Sequence, residues 1–242
     1  MTRITVINPN TSEALTARIA AAAAAIAPAG IEVVGVRPAL GVASVESHTE
    51  EALAAVGVLR LVEEHSAVTD AFVVACFGDT GVAAAREMAS CPVVGMTEAA
   101  LQTACLLTHR FVVITMPPRT IAHSDRVVRA LGLEHRCTVA AIDAEVADLE
   151  GGSAPLLDHF AAAARQAMDS DRAEAVVLGC AGLADLVGPL SGELGVPVID
   201  GVAAAVGIAA GLIAMGLTTS RANTFAPVTA LPALLPAEAG VR

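Results

Sequence analysis

The chain alternates between short runs of apolar, largely β-branched residues and longer Ala-rich segments in which apolar side chains recur at helical spacing. In the first half, the apolar runs predict strands at 4–8, 31–36, 72–76 and 92–95. Helices are predicted at 13–27, 49–64, 82–89 and 96–107, and Thr11 or Ser12 is expected to cap the first of them. Strands that alternate with helices indicate an α/β fold with parallel sheets.

The second half of the chain repeats this order. Strands are predicted at 111–115, 138–142, 175–179 and 197–201, with helices at 119–131 and 155–168, another after Cys180, and a long apolar helix from Gly201. The duplication predicts two lobes related by a pseudo-twofold axis, each a short parallel sheet flanked by helices. Ligands of open α/β sheets bind beyond the carboxyl ends of the strands, so the active site is expected in the cleft between the lobes.

Composition excludes several classes of partner and cofactor. The 242 residues carry a net charge of −11 and include no Tyr or Trp, which argues against binding to nucleic acid or to an anionic membrane surface. Residues 201–217 are uncharged but rich in Ala and Gly, so they are predicted to form a buried helix and not a membrane span. The basic residues are all Arg, which excludes a pyridoxal phosphate Schiff base and a P-loop, because both need Lys.

The cysteines indicate a reduced, cytoplasmic protein. There are five, an odd number, without a CxxC pair, and the chain starts directly with a strand pattern instead of a signal peptide. Because composition argues against nucleic acid and membrane as partners, a small-molecule substrate is the expected partner. The many small apolar residues are compatible with a homo-oligomer.

Two of these cysteines occupy matching places in the repeat. Cys76 ends the strand at 72–76 and precedes Phe77-Gly78-Asp79-Thr80-Gly81, whereas Cys180 follows the strand at 175–179 and precedes Ala181-Gly182. A pseudo-twofold axis that brings the two carboxyl ends together would place both thiols in one cleft. A helix is expected to begin after each cysteine, and a helix N-terminus lowers the pKa of a nearby thiol.

Two opposed thiols can invert a carbon centre without a cofactor, because one removes a proton from one face and the other returns a proton to the opposite face. An ordinary core role is the favoured interpretation of a lone cysteine, and it is the one we give to Cys91, Cys105 and Cys137. The matching pair favours catalysis. The histidines lack metal-ligand spacing, so no metal site is predicted. Asn10, within Asn8-Pro9-Asn10-Thr11-Ser12, fits a turn and a ligand contact about equally well.

These motifs resemble those of one family. The segments Asn8-Pro9-Asn10-Thr11-Ser12, Cys76-Phe77-Gly78-Asp79 and Leu178-Gly179-Cys180-Ala181-Gly182 are similar to those of hydantoin racemases, a family that includes allantoin racemases and lies in the aspartate/glutamate racemase superfamily. Thr80 departs from the Pro that members often carry there, and Met116-Pro117-Pro118-Arg119 is unusual.

The resemblance implies cofactor-independent racemisation at C5 of a 5-substituted hydantoin. Allantoin and alkyl or aromatic hydantoins are all compatible with it. The resemblance further implies that the last helix returns to the first lobe, which gives a first lobe of 1–97 plus about 205–242 and a second lobe of 98–204. It identifies Cys76 and Cys180 as the acid/base pair and implies these substrate-binding residues: Asn10, Ser44, Phe77, Gly78, Asp79, Thr115, Ala181 and Gly182.

Other functions remain open at this point. An aspartate or glutamate racemase is less favoured, because that superfamily usually places Thr or Ser after each cysteine, where this chain has Phe77 and Ala181. A decarboxylase or a cis–trans isomerase of the same superfamily is also possible. The decarboxylase typically needs only one cysteine, so the presence of two argues against it. A non-enzymatic, doubly wound binding module with structural or redox-sensing thiols is the alternative from another class.

Overall fold

A computed structural model describes residues 1–149 and 151–227 and contains two four-stranded parallel sheets. The first sheet is built from β1 (Thr2–Ile7), β2 (Ile31–Val36), β3 (Ala71–Val74) and β4 (Val93–Gly95) in the order β2-β1-β3-β4. The second is built from β5 (Phe111–Thr115), β6 (Cys137–Ala141), β7 (Val176–Leu178) and β8 (Val198–Asp200) in the order β6-β5-β7-β8. The two orders correspond strand for strand, so the duplication and the α/β fold class are confirmed.

Helices connect the strands and flank both sheets. They are α1 (Glu13–Ile26), α2 (His48–His65), α3 (Val82–Met88), α4 (Met96–Leu107), α5 (Ile121–Ala130), α6 (Leu157–Asp171), α7 (Val187–Leu194) and α8 (Gly201–Ala214). Local chemistry determines where several of them begin. The Ser12 hydroxyl accepts a hydrogen bond from the Leu15 N–H at 3.2 Å, and the Ser47 hydroxyl accepts one from the Glu50 N–H at 3.3 Å. These are N-caps, which stabilise the first turn by satisfying a free backbone donor.

The chain after Cys180 differs from the prediction of a single helix. It first forms a 3-10 segment, Ala181–Leu186, and only then α7. Gly182 is buried in this segment, and a Cβ there would lie 2.9 Å from both Leu15 Cδ1 and Leu149 Cδ1. The segment is therefore held tightly between two other parts of the fold.

The last helix packs against the first sheet although it follows the second one in sequence. Val202, Ala205 and Val206 of α8 are fully buried in the same cluster as Ile4 and Val6 of β1. Within the described ranges, no helix combines the length and the apolar character that crossing a membrane requires. The packing supports the predicted two-lobe division, which stays a prediction, and the part of the first lobe assigned to 228–242 lies outside the described residues.

Candidate active site

The carboxyl ends of β1 and β3 lie side by side where the strand order of the first sheet reverses. The Ala75 N–H donates to the Ile7 carbonyl at 2.8 Å, so the loops that begin at Asn8 and Cys76 start next to each other. The second sheet repeats this arrangement, because the Gly179 N–H donates to the Ile114 carbonyl at 2.8 Å. Such reversal points are the usual ligand sites of open α/β sheets.

The two carboxyl edges meet at one cavity of about 50 Å³. Both Cys76 and Cys180 line it, and both are half-buried. Its other walls combine apolar side chains with amides and hydroxyls: Asn8, Pro9, Asn10, Leu15, Val45, Ala75, Phe77, Thr115, Met116, Thr120, Val146, Gly179 and Ala181. No charged side chain of the described residues belongs to this lining. The prediction that the two sheets bring the two thiols to one cleft is therefore confirmed in the geometry.

The predicted binding residues divide into two groups. Asn10, Phe77, Thr115 and Ala181 line the cavity. The other four stand outside the lining: Ser44, Gly78, Asp79 and Gly182. Their contact with a substrate stays a prediction, and the structure gives three of them other contacts, described below for Gly78, Asp79 and Gly182.

Asn10 is held by a local amide network. Its Oδ1 accepts hydrogen bonds from Asn8 Nδ2 at 2.8 Å and from the Ser12 N–H at 3.0 Å. Asn8 Nδ2 also donates to Thr16 Oγ1 at 3.0 Å. Because the Asn10 oxygen is used twice within the loop, its Nδ2 is the group that can donate to a ligand.

On the opposite wall, Thr115 and Thr120 form a pair of buried hydroxyls. Thr120 Oγ1 donates to the Pro117 carbonyl at 2.8 Å and accepts from Thr115 Oγ1, which lies 2.8 Å away. The Gly179 carbonyl is the alternative acceptor for the Thr115 proton, at 3.3 Å. This wall therefore offers hydroxyl oxygens whose orientation is set by backbone carbonyls.

The loop that carries Cys76, residues 75–81 (the Cys76 loop), is held in an unusual backbone conformation. Gly78, Asp79 and Gly81 all have positive φ, of 105°, 54° and 74°. The Asp79 carboxylate accepts hydrogen bonds from the N–H groups of Thr97 and Glu98 at 2.8 and 2.9 Å, so it caps α4 and not the helix that follows it in sequence. The Gly78 N–H donates to Thr97 Oγ1 at 2.7 Å. The loop is thus fastened to the N-terminus of α4.

Close packing around this contact raises the pKa of Asp79. Burial raises the pKa of its carboxyl to about 6, and the two backbone N–H donors oppose that shift. A Cβ on Gly95 would lie 2.4 Å from Asp79 Cγ and Oδ1, so only glycine leaves room for the carboxylate at the end of β4.

The thiols do not have the lowered pKa that the sequence predicts. Burial raises the pKa of Cys76 to about 12 and is opposed by the Thr80 hydroxyl, which donates to Cys76 Sγ at 3.3 Å. Burial also raises the pKa of Cys180, while the N–H groups of Gly182 and Ala181 and the charge of Arg18 lower it. The prediction was wrong because enclosure of the sulfur outweighs the nearby helix-end donors. α3 also starts only at Val82, well past Cys76.

The charges of the two thiols are coupled, since Cys180 contributes to the raised pKa of Cys76. Two anions in one small cavity repel each other strongly. The site therefore favours the forms that carry at most one thiolate.

Several lining residues were missed by sequence reasoning. Asn8 and Met116 stand inside motifs that were singled out, and Thr120 follows one of them, so their positions at strand ends were an available signal. Leu15, Val45 and Val146 reach the cavity from a helix, a loop and a 3-10 segment, and no sequence pattern identifies them.

A cluster of three possible metal ligands lies outside this cavity. Donor atoms of His48, Glu51 and His123 fall within 4.8 Å of one another, which the scattered sequence positions did not predict. Arg126 donates to both Glu51 oxygens, one of them at 3.0 Å. A cation at this cluster would have to compete with a guanidinium for its only carboxylate.

The remaining cysteines belong to apolar clusters, as predicted. Cys137 is buried and Cys105 half-buried in the core between the second sheet and α4, and Cys91 packs at the edge of the first sheet. None of the three lines the cavity.

Comparison with known proteins gives consistent results. Residues 4–209 match the model of the Asp/Glu/Hydantoin racemase family. The chain is 40% identical over 225 residues to a hydantoin racemase of Rhizobium meliloti, covering 92% of this chain and 93% of that protein. A hydantoin racemase of Paenarthrobacter aurescens is 38% identical over 226 residues, covering 92% and 96%. The structure of an allantoin racemase from Klebsiella pneumoniae is similar, with a TM-score of 0.91, 42% identity and coverage of 96% and 95%.

Proposed function

We propose that this chain, which belongs to the Asp/Glu/Hydantoin racemase family, inverts C5 of a 5-substituted hydantoin by proton transfer between Cys76 and Cys180. The observation that carries the proposal is that two thiols, one from each sheet, line the same cavity. The relatives' activities support an isomerase acting on hydantoins or allantoin.

The reaction requires one thiolate and one thiol. The thiolate of one cysteine removes the proton from C5, and the electron pair of the broken C–H bond is delocalised onto the adjacent ring carbonyl as an enolate. The S–H of the other cysteine then donates its proton to the opposite face of C5. The product has the inverted configuration, and the thiolate now resides on the second cysteine. The enzyme is thereby prepared for the reverse reaction, or returns to its first state by exchanging protons with water.

The raised thiol pKa values fit this division of roles. A thiol that holds its proton tightly remains an acid at neutral pH, and repulsion between the two sulfurs disfavours a state in which both are charged. The Thr80 hydroxyl and the N–H groups after Cys180 stabilise whichever sulfur carries the charge.

The lining suits a neutral, polar ring. We propose that Asn10 Nδ2 and the Thr115 hydroxyl form hydrogen bonds with the ring, and that Phe77 and Ala181 pack against it. We propose that Gly78, Asp79 and Gly182 act by fixing the positions of the two cysteines, and that Ser44, which precedes the lining residue Val45, contacts the bound substrate.

The residues after the two cysteines argue against aspartate or glutamate as substrates. Phe77 and Ala181 both line the cavity, at the places where the aspartate/glutamate racemase superfamily usually has Thr or Ser. Neither side chain can donate a hydrogen bond to a carboxylate, whereas both can pack against a neutral hydantoin ring.

The test is to incubate the enzyme in D₂O with one enantiomer of allantoin, of a 5-methyl hydantoin and of a 5-benzyl hydantoin, with chelator and without added cofactor. Optical rotation and deuterium at C5 are followed beside a control without enzyme. Accelerated loss of rotation with deuterium uptake for any of these hydantoins supports the proposal, and their relative rates identify the preferred 5-substituent. Acceleration with aspartate or glutamate but none with the hydantoins would overturn it.

We further propose that the protein is a homo-oligomer of the cytoplasm with two lobes. Light scattering on the purified protein tests the assembly. The division into 1–97 with 205–242 and 98–204 is tested by limited proteolysis near residues 97 and 204.

A further inference from the structure

Arg18 reaches from the first sheet's side of the molecule to the segment that carries Cys180. It lies on α1, which follows the first strand of the first sheet. Its NH2 group donates to the Gly182 carbonyl at 2.8 Å and approaches Asp185 Oδ1 at 3.5 Å, and its NH1 group donates to the Leu149 carbonyl. Gly182 stands two residues after Cys180.

Arg126 makes the reciprocal contact. It lies on α5, which follows the first strand of the second sheet. Its NH2 group donates to the Gly78 carbonyl at 3.0 Å, and its guanidinium forms a bidentate ion pair with Glu51 of α2. Gly78 stands two residues after Cys76. A Cβ on Gly78 would lie 3.2 Å from His123 Cβ, so α5 is already in close contact with the Cys76 loop.

We propose that Arg18 and Arg126 are paired positioning residues, each anchored on one half of the fold and holding the cysteine-bearing segment of the other half. The inference rests on the proposed function in taking the two thiols as the reacting groups. Each arginine fixes the carbonyl two residues beyond its cysteine, which sets the direction of that sulfur across the cleft. Neither arginine lines the cavity or touches the reacting atoms.

The two arginines also place positive charge near otherwise disfavoured thiolates. Cys180 is faced by Arg18, which lowers its pKa, and by Glu46, which raises it. Cys76 is faced by Cys180, Asp79 and Glu51, which all raise its pKa, and the ion pair of Arg126 offsets the charge of Glu51. Removal of Arg18 takes away the charge that lowers the pKa of Cys180, and removal of Arg126 leaves Glu51 without its guanidinium partner. Either change makes the nearer thiol harder to ionise.

Racemisation rates do not show which cysteine each arginine acts on. The equilibrium constant of a racemisation is one, so any variant changes kcat/KM equally in both directions. The ionisation of each thiol has to be measured separately.

The test is the pH dependence of alkylation of each cysteine by iodoacetamide, followed by mass spectrometry of the Cys76 and Cys180 peptides. Arg18→Gln is expected to raise the apparent pKa of Cys180 by about one unit, a roughly tenfold slower alkylation below that pKa. It should not raise the pKa of Cys76, because a Cys180 that keeps its proton removes a nearby negative charge. Arg126→Gln is expected to do the converse. Arg18→Lys and Arg126→Lys keep the positive charge. Each should therefore leave the pKa of the corresponding thiol close to its wild-type value.

The matched control is Arg129→Gln, since Arg129 lies on α5 but pairs with Asp125 of the same helix at 3.3 Å. It should move neither thiol, and far-UV circular dichroism checks that every variant is folded. Equal shifts of both thiols, or none, would overturn the crossed assignment. The readout does not need turnover: a crossed shift without racemisation would refute the proposed function alone, and racemisation without a crossed shift would refute this inference alone.

Discussion

Replacement of Asp79 separates two roles for this residue, namely capping of α4 and contact with the substrate. The structure shows its carboxylate accepting two backbone N–H groups at 2.8 and 2.9 Å. Asp79→Asn keeps one acceptor for these donors, whereas Asp79→Ala keeps none. The comparison of the two variants cancels the effect of the lost charge, because both are neutral.

The expected difference follows from the hydrogen bonds. A lost N-cap costs about 1 kcal/mol, and a buried donor left without a partner costs about 1–3 kcal/mol. We therefore expect Asp79→Ala to be less stable than Asp79→Asn by about 1–3 kcal/mol. The pKa of about 6, against 3.8 for an ordinary Asp, means that the buried charge costs about 3 kcal/mol at pH 8. Asp79→Asn is relieved of that cost, which offsets its lost hydrogen bond.

The sign of the pH dependence is also determined. The folded pKa of Asp79 lies above the unfolded value, so the cost is fully present above about pH 6 and disappears below about pH 4. The wild-type protein should therefore gain stability relative to Asp79→Asn as the pH falls from 7 to 4.

The assay is urea unfolding followed by far-UV circular dichroism, because the chain has no Trp or Tyr to report by fluorescence. Asp143→Asn, a change at an exposed position, is the control and should stay within about 0.5 kcal/mol of wild type. As a cap, Asp79→Asn should keep kcat/KM within about tenfold of wild type, since positioning through one remaining acceptor is retained. Equal stability of the Asn and Ala variants, with a loss of kcat/KM beyond about 100-fold in both, would refute the capping role and indicate direct substrate contact.

Three further outcomes are expected. Thr80→Val removes the hydroxyl that donates to Cys76 Sγ, so kcat/KM for racemisation should fall about three- to tenfold; an unchanged value would exclude that hydrogen bond from the mechanism. Because the pKa of both thiols is raised, kcat/KM should increase about tenfold per unit between about pH 6 and 8, and a flat profile would contradict a neutral resting pair. Gly95→Ala places a Cβ 2.4 Å from Asp79 Oδ1, so it should lower the free energy of unfolding by about 1–3 kcal/mol and the urea midpoint with it. An unchanged midpoint would show that the Cys76 loop can move away from residue 95 without loss of stability.

The order of strands and helices could be predicted because it depends on local patterns. Apolar runs such as Phe111–Thr115 are buried on both faces, and N-caps such as Ser12 act within a few residues. The cysteine pair was also predictable, since the repeat places each one at a strand end. The resemblance marked Thr80 as a departure from Pro, but only the structure connects its hydroxyl to Cys76.

The remaining features of the site depend on distant parts of the chain. Asp79 caps a helix 18 residues away, and Arg18 contacts Gly182, which is 164 residues away. No local pattern reports such contacts. The same reason explains the wrong pKa prediction for the thiols. The helix ends were visible in the sequence, whereas the burial that raises the pKa of both thiols was not.

The most direct test of the two-thiol account uses Cys76→Ser and Cys180→Ser, with Cys91→Ser as the matched control outside the cavity. Each enantiomer of the hydantoin substrate is incubated with each variant in D₂O, and inversion and deuterium at C5 are measured separately. We predict that both active-site variants lose racemisation, that each still exchanges the C5 proton of one enantiomer without inverting it, and that the two variants act on opposite enantiomers. Racemisation by either variant at a rate near that of Cys91→Ser would contradict the account.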